Sequence, residues 1–282
     1  MKDKNTGWIR ILKLIIPYLF IVGFFQFIAM LIIGVDFKNF ENYIKTSENH
    51  FILLLFNLLG TFFVLWLFMK YVDKEKFINL GFHIKNRFKD FNYGLAIGVF
   101  ILTIGFLLLL FIDEIHFKEI IFNSKEILLT ILIYTIVAIV EEVLFRGYIL
   151  RNLMISFNKY IALIVSSILF SAMHGFNPNI DLMGFTNLFI AGILLGITYI
   201  YTKNLWFPIA LHFSWNLTQT FLGFNVSGKD VYSIIEFKIT ENNLLNGGDF
   251  GFEGSILSII SQIIFIVIIW NYYNKELNKN SI

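Results

Sequence analysis

The sequence predicts an all-α, polytopic membrane protein with eight transmembrane helices and its functional groups inside the helical bundle. Three observations carry that expectation. Hydrophobic residues make up 57% of the 282 residues and charged residues 15%, with a mean hydropathy of +0.73; a soluble globular chain holds roughly 45–50% apolar and about 25% charged residues. The apolar residues are gathered into runs of about 20, the length needed to cross ~30 Å of hydrocarbon. The basic residues fall mainly in alternate connections between those runs, the pattern that fixes orientation in a bilayer.

Taken in order, the spans lie near 14–35, 51–69, 93–112, 127–146, 160–176, 187–202, 204–222 and 255–273. The first follows Lys2, Lys4, Arg10 and Lys13, but its run is too long for a secretory h-region and no small-x-small cleavage site follows, so it reads as an uncleaved anchor. With the N-terminus in the cytoplasm, the inner side collects 16 of the 22 basic residues, including Lys70, Lys74, Lys76, Lys85, Arg87 and Lys89. The outer side holds six: Lys38, Lys45, Lys118, Lys125, Lys229 and Lys238. The expected location is therefore a cell membrane, multi-pass, with both termini cytoplasmic. No fixed-period repeat divides the chain, which reads as a single integral-membrane domain over 1–282. The longest extramembrane stretch, about 223–254, is glycine-bearing and has little periodicity.

Composition also excludes several functions. There is no cysteine, hence no disulfide scaffold, thiol nucleophile or Cys-ligated zinc. A net charge of +2 is too small to suggest a nucleic-acid partner. The partner expected from composition is the lipid bilayer.

Ionisable groups are expensive in hydrocarbon, so those within the spans mark the candidate site. The fourth span ends Ile-Val-Glu141-Glu142-Val-Leu-Phe-Arg146, the fifth carries Phe170-Ser-Ala-Met-His174, and the seventh carries His212-Phe-Ser-Trp-Asn216. Glu142 and Arg146 are i,i+4 on one helical face and can neutralise each other. Glu141 lies about 100° around the helix, its carboxylate free to face something else. His212 and Asn216 share one face, as do Phe170 and His174. Three helices each present one polar face, and satisfying those faces requires that they meet. A lone His174, or the His212–Asn216 pair, could also be interhelical hydrogen-bonding glue. That explanation is poorest for the paired acids, because one arginine neutralises only one carboxylate.

Glu-Glu-x-x-x-Arg, Phe-x-x-x-His and His-x-x-x-Asn on three successive motif helices resemble the CAAX-protease and bacteriocin-processing intramembrane proteases (CPBP), also called Abi or type II CAAX prenyl endopeptidase-like proteins. Phe145-Arg146-Gly147-Tyr148 and Leu205-Trp206-Phe207-Pro208 are similar to the family too. The likeness covers about 124–222, which would be the catalytic core; the other spans resemble it only in hydropathy. The resemblance implies that Glu141 activates the attacking water with help from His174. It also implies that His212 and Asn216 stabilise the oxyanion, and that Glu142, Arg146 and Phe170 give structural support. The implied activity is endoproteolysis of a membrane-associated or hydrophobic peptide such as a leader, pheromone, bacteriocin or CAAX-like sequence. A non-catalytic immunity or scaffold protein of the same fold is the alternative. A transporter would call for inverted repeats, and none is detected. No cofactor is favoured. Zinc remains open through Glu141, His174 and His212, a set used by catalytic zinc sites. A zinc site also wants a separate base, and pairing Glu142 with Arg146 leaves no span carboxylate over for it.

Depth sets one further expectation. At 1.5 Å per residue from the nearest inner-side charge, His174 lies ~22 Å deep but Glu141, counted from Arg146, only ~8 Å. The conflict disappears if the fourth helix runs past Arg146 to a border near Arg151, with Arg146 buried against Glu142. Glu141, His174, His212 and Asn216 would then line one cavity in the inner half of the bilayer, open to the cytoplasm or sideways to lipid.

Overall fold

A computed structural model describes residues 6–35 and 46–279. Of the basic residues used for orientation, Lys2, Lys4, Lys38 and Lys45 lie outside them. The fold is mostly helical and polytopic. Its helices are α1 (Thr6–Ile33), α2 (Ser47–Leu67), α3 (Phe88–Phe111), α4 (Ser124–Glu142), α5 (Arg151–Ser156), α6 (Lys159–Met173), α7 (Leu182–Thr202), α8 (Trp206–Phe221) and α9 (Ile256–Lys279). Between α4 and α5 the chain does not break. Val143–Leu150 winds as a π-helix, and Ser124–Ser156 forms one continuous rod of 33 residues.

The expectation of eight transmembrane helices is met in part. Among the described residues, six helices are long and apolar enough to cross a membrane: α1, α2, α3, the α4–α5 rod, α7 and α9. The other two, α6 with 15 residues and α8 with 16, are shorter. Hydropathy overestimates α6 because Gly175 and Phe176 continue its composition, yet the helix stops where His174 adopts φ −90°, ψ 0° as its C-cap. Side chains such as Phe20, Phe111 and Leu19 are exposed around the bundle, as lipid-facing surface requires.

Close helix approach is set by glycines one turn apart. Gly94 and Gly98 of α3 lie against α8, where a Cβ on Gly98 would stand 2.1 Å from Ser214 Oγ and 2.8 Å from Trp215 N. Gly192 and Gly196 of α7 likewise admit Ser167 and Leu163 of α6. Small residues at such seams let dispersion between backbones take over where the hydrophobic effect is absent. Gly98→Leu is therefore expected to push α3 from α8, destabilising by about 1–3 kcal/mol, and to lower the melting temperature in detergent. An unchanged melting temperature would contradict the seam.

The segment between α8 and α9 is more ordered than its sequence pattern suggests. Strand β2 (Ile235–Ile239) pairs antiparallel with β1 (Ile115–Ile120), with Ile115 opposite Ile239 and Phe117 opposite Phe237. The rest folds back as a cap. Phe252 packs onto Gly105 of α3 and Phe250 onto Gly184 of α7. Gly251, at φ +91°, passes so close to Asn225 that an added Cβ would sit 1.9 Å from its carbonyl oxygen, a position and conformation that suit glycine alone.

Candidate active site

The α4–α5 rod supplies the acids. Past Glu142 it does not end at Arg146 but continues to Ser156, and every residue from Glu142 to Leu150 is buried. Arg146 is 1% exposed, with Nη1 donating to Glu142 Oε1 at 2.8 Å and Nη2 to the Gly192 carbonyl at 3.1 Å. Its guanidinium carbon lies 4.5 Å from the centre of the Phe170 ring, a cation–π contact strengthened by the absence of water. Phe170 also meets Phe145 edge-on at 5.1 Å and stands 4.6 Å from the His174 ring. It thus fills the space between the motif helices.

The three motif helices do meet. Glu141 Oε2 lies 3.6 Å from His174 Nε2 and 3.9 Å from His212 Nε2, and forms no direct hydrogen bond. Each imidazole is held from its other nitrogen. His174 Nδ1 lies 2.8 Å from the Phe170 carbonyl, and His212 Nδ1 lies 2.8 Å from Glu142 Oε1. Both acceptors require a proton on Nδ1, which leaves each neutral ring with an Nε2 lone pair facing Glu141. Asn216, buried one turn along α8 from His212, lines the same cavity.

Glu142 therefore has a role that its spacing to Arg146 does not reveal. One carboxylate oxygen receives both Arg146 and His212, so the pair that neutralises the rod also orients the imidazole of α8. The contact joins distant parts of the chain and leaves no sequence signal.

A cavity of about 350 Å³ surrounds these groups. Along the rod its wall runs from Phe145 and Glu141 back to Tyr134 and Ile133, toward Ser124 rather than toward Arg151. His50 at the start of α2, Asn177 after α6, and Ser227, Lys229 and Glu253 of the cap complete that end. None of the lining residues belongs to the connections 74–87, 157–158 or 203–205. Glu141, His174, His212 and Asn216 thus line one cavity, and its wall extends toward the face opposite the termini. On the terminal side the rod is sealed by buried side chains and by Asp73, which accepts from Arg10 Nη1 at 2.7 Å and from the Tyr148 hydroxyl at 3.1 Å.

Glu253 escaped sequence reasoning because it lies in the stretch read as an extramembrane loop. Its Oε2 accepts from the backbone N and the Oγ of Ser227, both at 2.9 Å. Burial pushes its carboxyl above the ordinary carboxylate range, against the opposing pull of Ser227, His174 and His212. The glycine density of 223–254 was the available signal of a packed segment. Glu253 also alters the carboxylate count behind the metal-independent expectation, since it is a second acid on the cavity wall beside Glu141. Among the described residues, however, no group of three or more His, Asp or Glu side chains is disposed to hold a metal ion.

Comparison with known proteins adds a family. Residues 122–218 match the model of the type II CAAX prenyl endopeptidase Rce1-like family. No curated protein and no solved structure matches the chain. The matched stretch runs from the start of α4 into α8 and contains Glu141, Glu142, Arg146, Phe170, His174, His212 and Asn216. Over residues 122–218 this membrane protein is similar to the type II CAAX prenyl endopeptidase Rce1-like family.

Proposed function

We propose that the chain is a glutamate-dependent intramembrane endopeptidase acting on a membrane-associated or hydrophobic peptide, with both termini in the cytoplasm. The observation that carries this reading is the convergence of Glu141 Oε2 with two imidazole Nε2 atoms whose Nδ1 atoms are already engaged. Separations of 3.6 and 3.9 Å are too long for direct hydrogen bonds but short enough for one water to bridge. Such a water donates one hydrogen to Glu141 and the other to His174 Nε2, directing an oxygen lone pair at the scissile carbonyl. Glu141 takes the proton as the C–O bond forms and returns it to the leaving nitrogen as the C–N bond breaks. Asn216 donates to the developing oxyanion. His212 joins it when Nε2 also carries a proton, a state the Glu142 carboxylate at Nδ1 accommodates. Preorganised donors of this kind are worth about 3 kcal/mol each in a site that excludes water.

The reading requires no metal. The purified protein in detergent is expected to cleave internally quenched apolar peptides at the same rate before and after treatment with a chelator. Activity lost to the chelator and restored by zinc would replace the glutamate mechanism with a metal one. Absence of cleavage across a broad peptide set would favour the immunity or scaffold role.

A further inference from the structure

The cavity wall, the sealed rod and the distribution of charge together say which side of the membrane the site serves. From Glu141 the lining runs toward Ser124, the start of α2 and the cap, all on the face opposite the termini. Toward the terminal face the rod is buried without interruption from Glu142 to Leu150, and Asp73 draws in Arg10, Tyr148 and Arg151 behind it. A peptide approaching from that face would have to displace buried ion pairs. From the other face it meets the cap, where Lys229 is exposed at the cavity edge and Glu253 lies further in. The sidedness of charge is also clear. Burial of Arg146 removes it from the orientation count, leaving, among the described residues, thirteen basic residues on the terminal face against four on the cap face. An excess of that size places the terminal face in the cytoplasm.

We propose that the cavity is loaded from the extracytoplasmic side, so that its substrate is a peptide segment which has already crossed the membrane. A translocation step must then supply the substrate, and the products are released outside. The identity of the occupant as a substrate rests on the endopeptidase reading; the direction of opening rests on geometry and charge alone.

The chain contains no cysteine, so single cysteines can be introduced without background. Lys229→Cys marks the cavity edge, and Lys85→Cys marks the exposed connection before α3 on the opposite face. With a membrane-impermeant maleimide, intact cells are expected to label Lys229→Cys, and Lys85→Cys only after permeabilisation. The reverse pattern would overturn the proposal. The native chain is then reconstituted in vesicles of orientation calibrated by the same labels, and quenched apolar peptides that cannot cross lipid are added outside. Vesicles with the cap outward are expected to cleave at least about tenfold faster than those with the cap inward, the margin of a 1.4 kcal/mol preference. Equal rates would overturn extracytoplasmic loading. If neither orientation cleaves, and Glu141→Gln is indistinguishable from the native chain, it is the endopeptidase reading that fails, and the labelling pattern still decides which side the cavity serves.

Discussion

Glu141→Gln is expected to lower kcat by about 10²–10⁴-fold, the range supplied by a general base, with the melting temperature unchanged. The amide has nearly the same shape but cannot take a proton from water. It also strands nothing, because the native carboxylate makes no direct hydrogen bond and keeps 26% of its side chain exposed to the cavity. Peptide cleavage and thermal unfolding measured on one detergent preparation separate these two effects. Full activity in the variant would remove Glu141 as the base, and with it the proposed mechanism.

Arg146→Met is expected to produce the largest loss of stability. The guanidinium is the principal neutralising partner of a carboxylate with no exposed surface, and Met fills the volume without supplying charge. Removing one member of a buried pair costs about 3–5 kcal/mol, because the other remains uncompensated. Glu142→Gln should cost a similar amount by stranding Arg146, and it should also impair catalysis by weakening the acceptor for His212 Nδ1. The double variant distinguishes the two functions of Glu142. With both charges gone, much of the stability returns, while the imidazole still lacks its carboxylate and kcat stays low. Recovery of both properties together would mean that the Glu142–His212 contact has no catalytic consequence.

The parts of the site legible in the sequence were those where an ionisable group interrupts an apolar run. Glu141, Glu142, Arg146, His174 and His212 stand out because hydrocarbon makes each conspicuous. The continuation of the rod past Arg146 could also be read, from the depth arithmetic alone. What could not be read depends on the folded chain. The Glu142–His212 bond joins two helices whose spacing in sequence carries no periodic signature. Glu253 looks like any loop acid until Phe250 and Phe252 pin the cap against α7 and α3. The β1–β2 ladder left a faint trace, since Ile235, Phe237 and Ile239 alternate with Glu236 and Lys238, but runs this short are ambiguous alone. The paired glycines of α3 and α7 were visible as small-residue spacings, though only packing reveals which neighbour each admits.

The brevity of α6 and α8 has a consequence for the surrounding lipid. At 1.5 Å per residue they reach about 22 and 24 Å, less than the ~30 Å of an average hydrocarbon layer, while their neighbours run the full width. The bilayer beside them must thin, or the chain must shelter a dip in it, and either response costs fractions of a kcal/mol per Å of hydrophobic mismatch. The two short helices are those that carry His174 and His212. If the endopeptidase reading holds, the thickness of the host membrane bears on the two helices that hold the imidazoles, and acyl-chain length is expected to tune the cleavage rate.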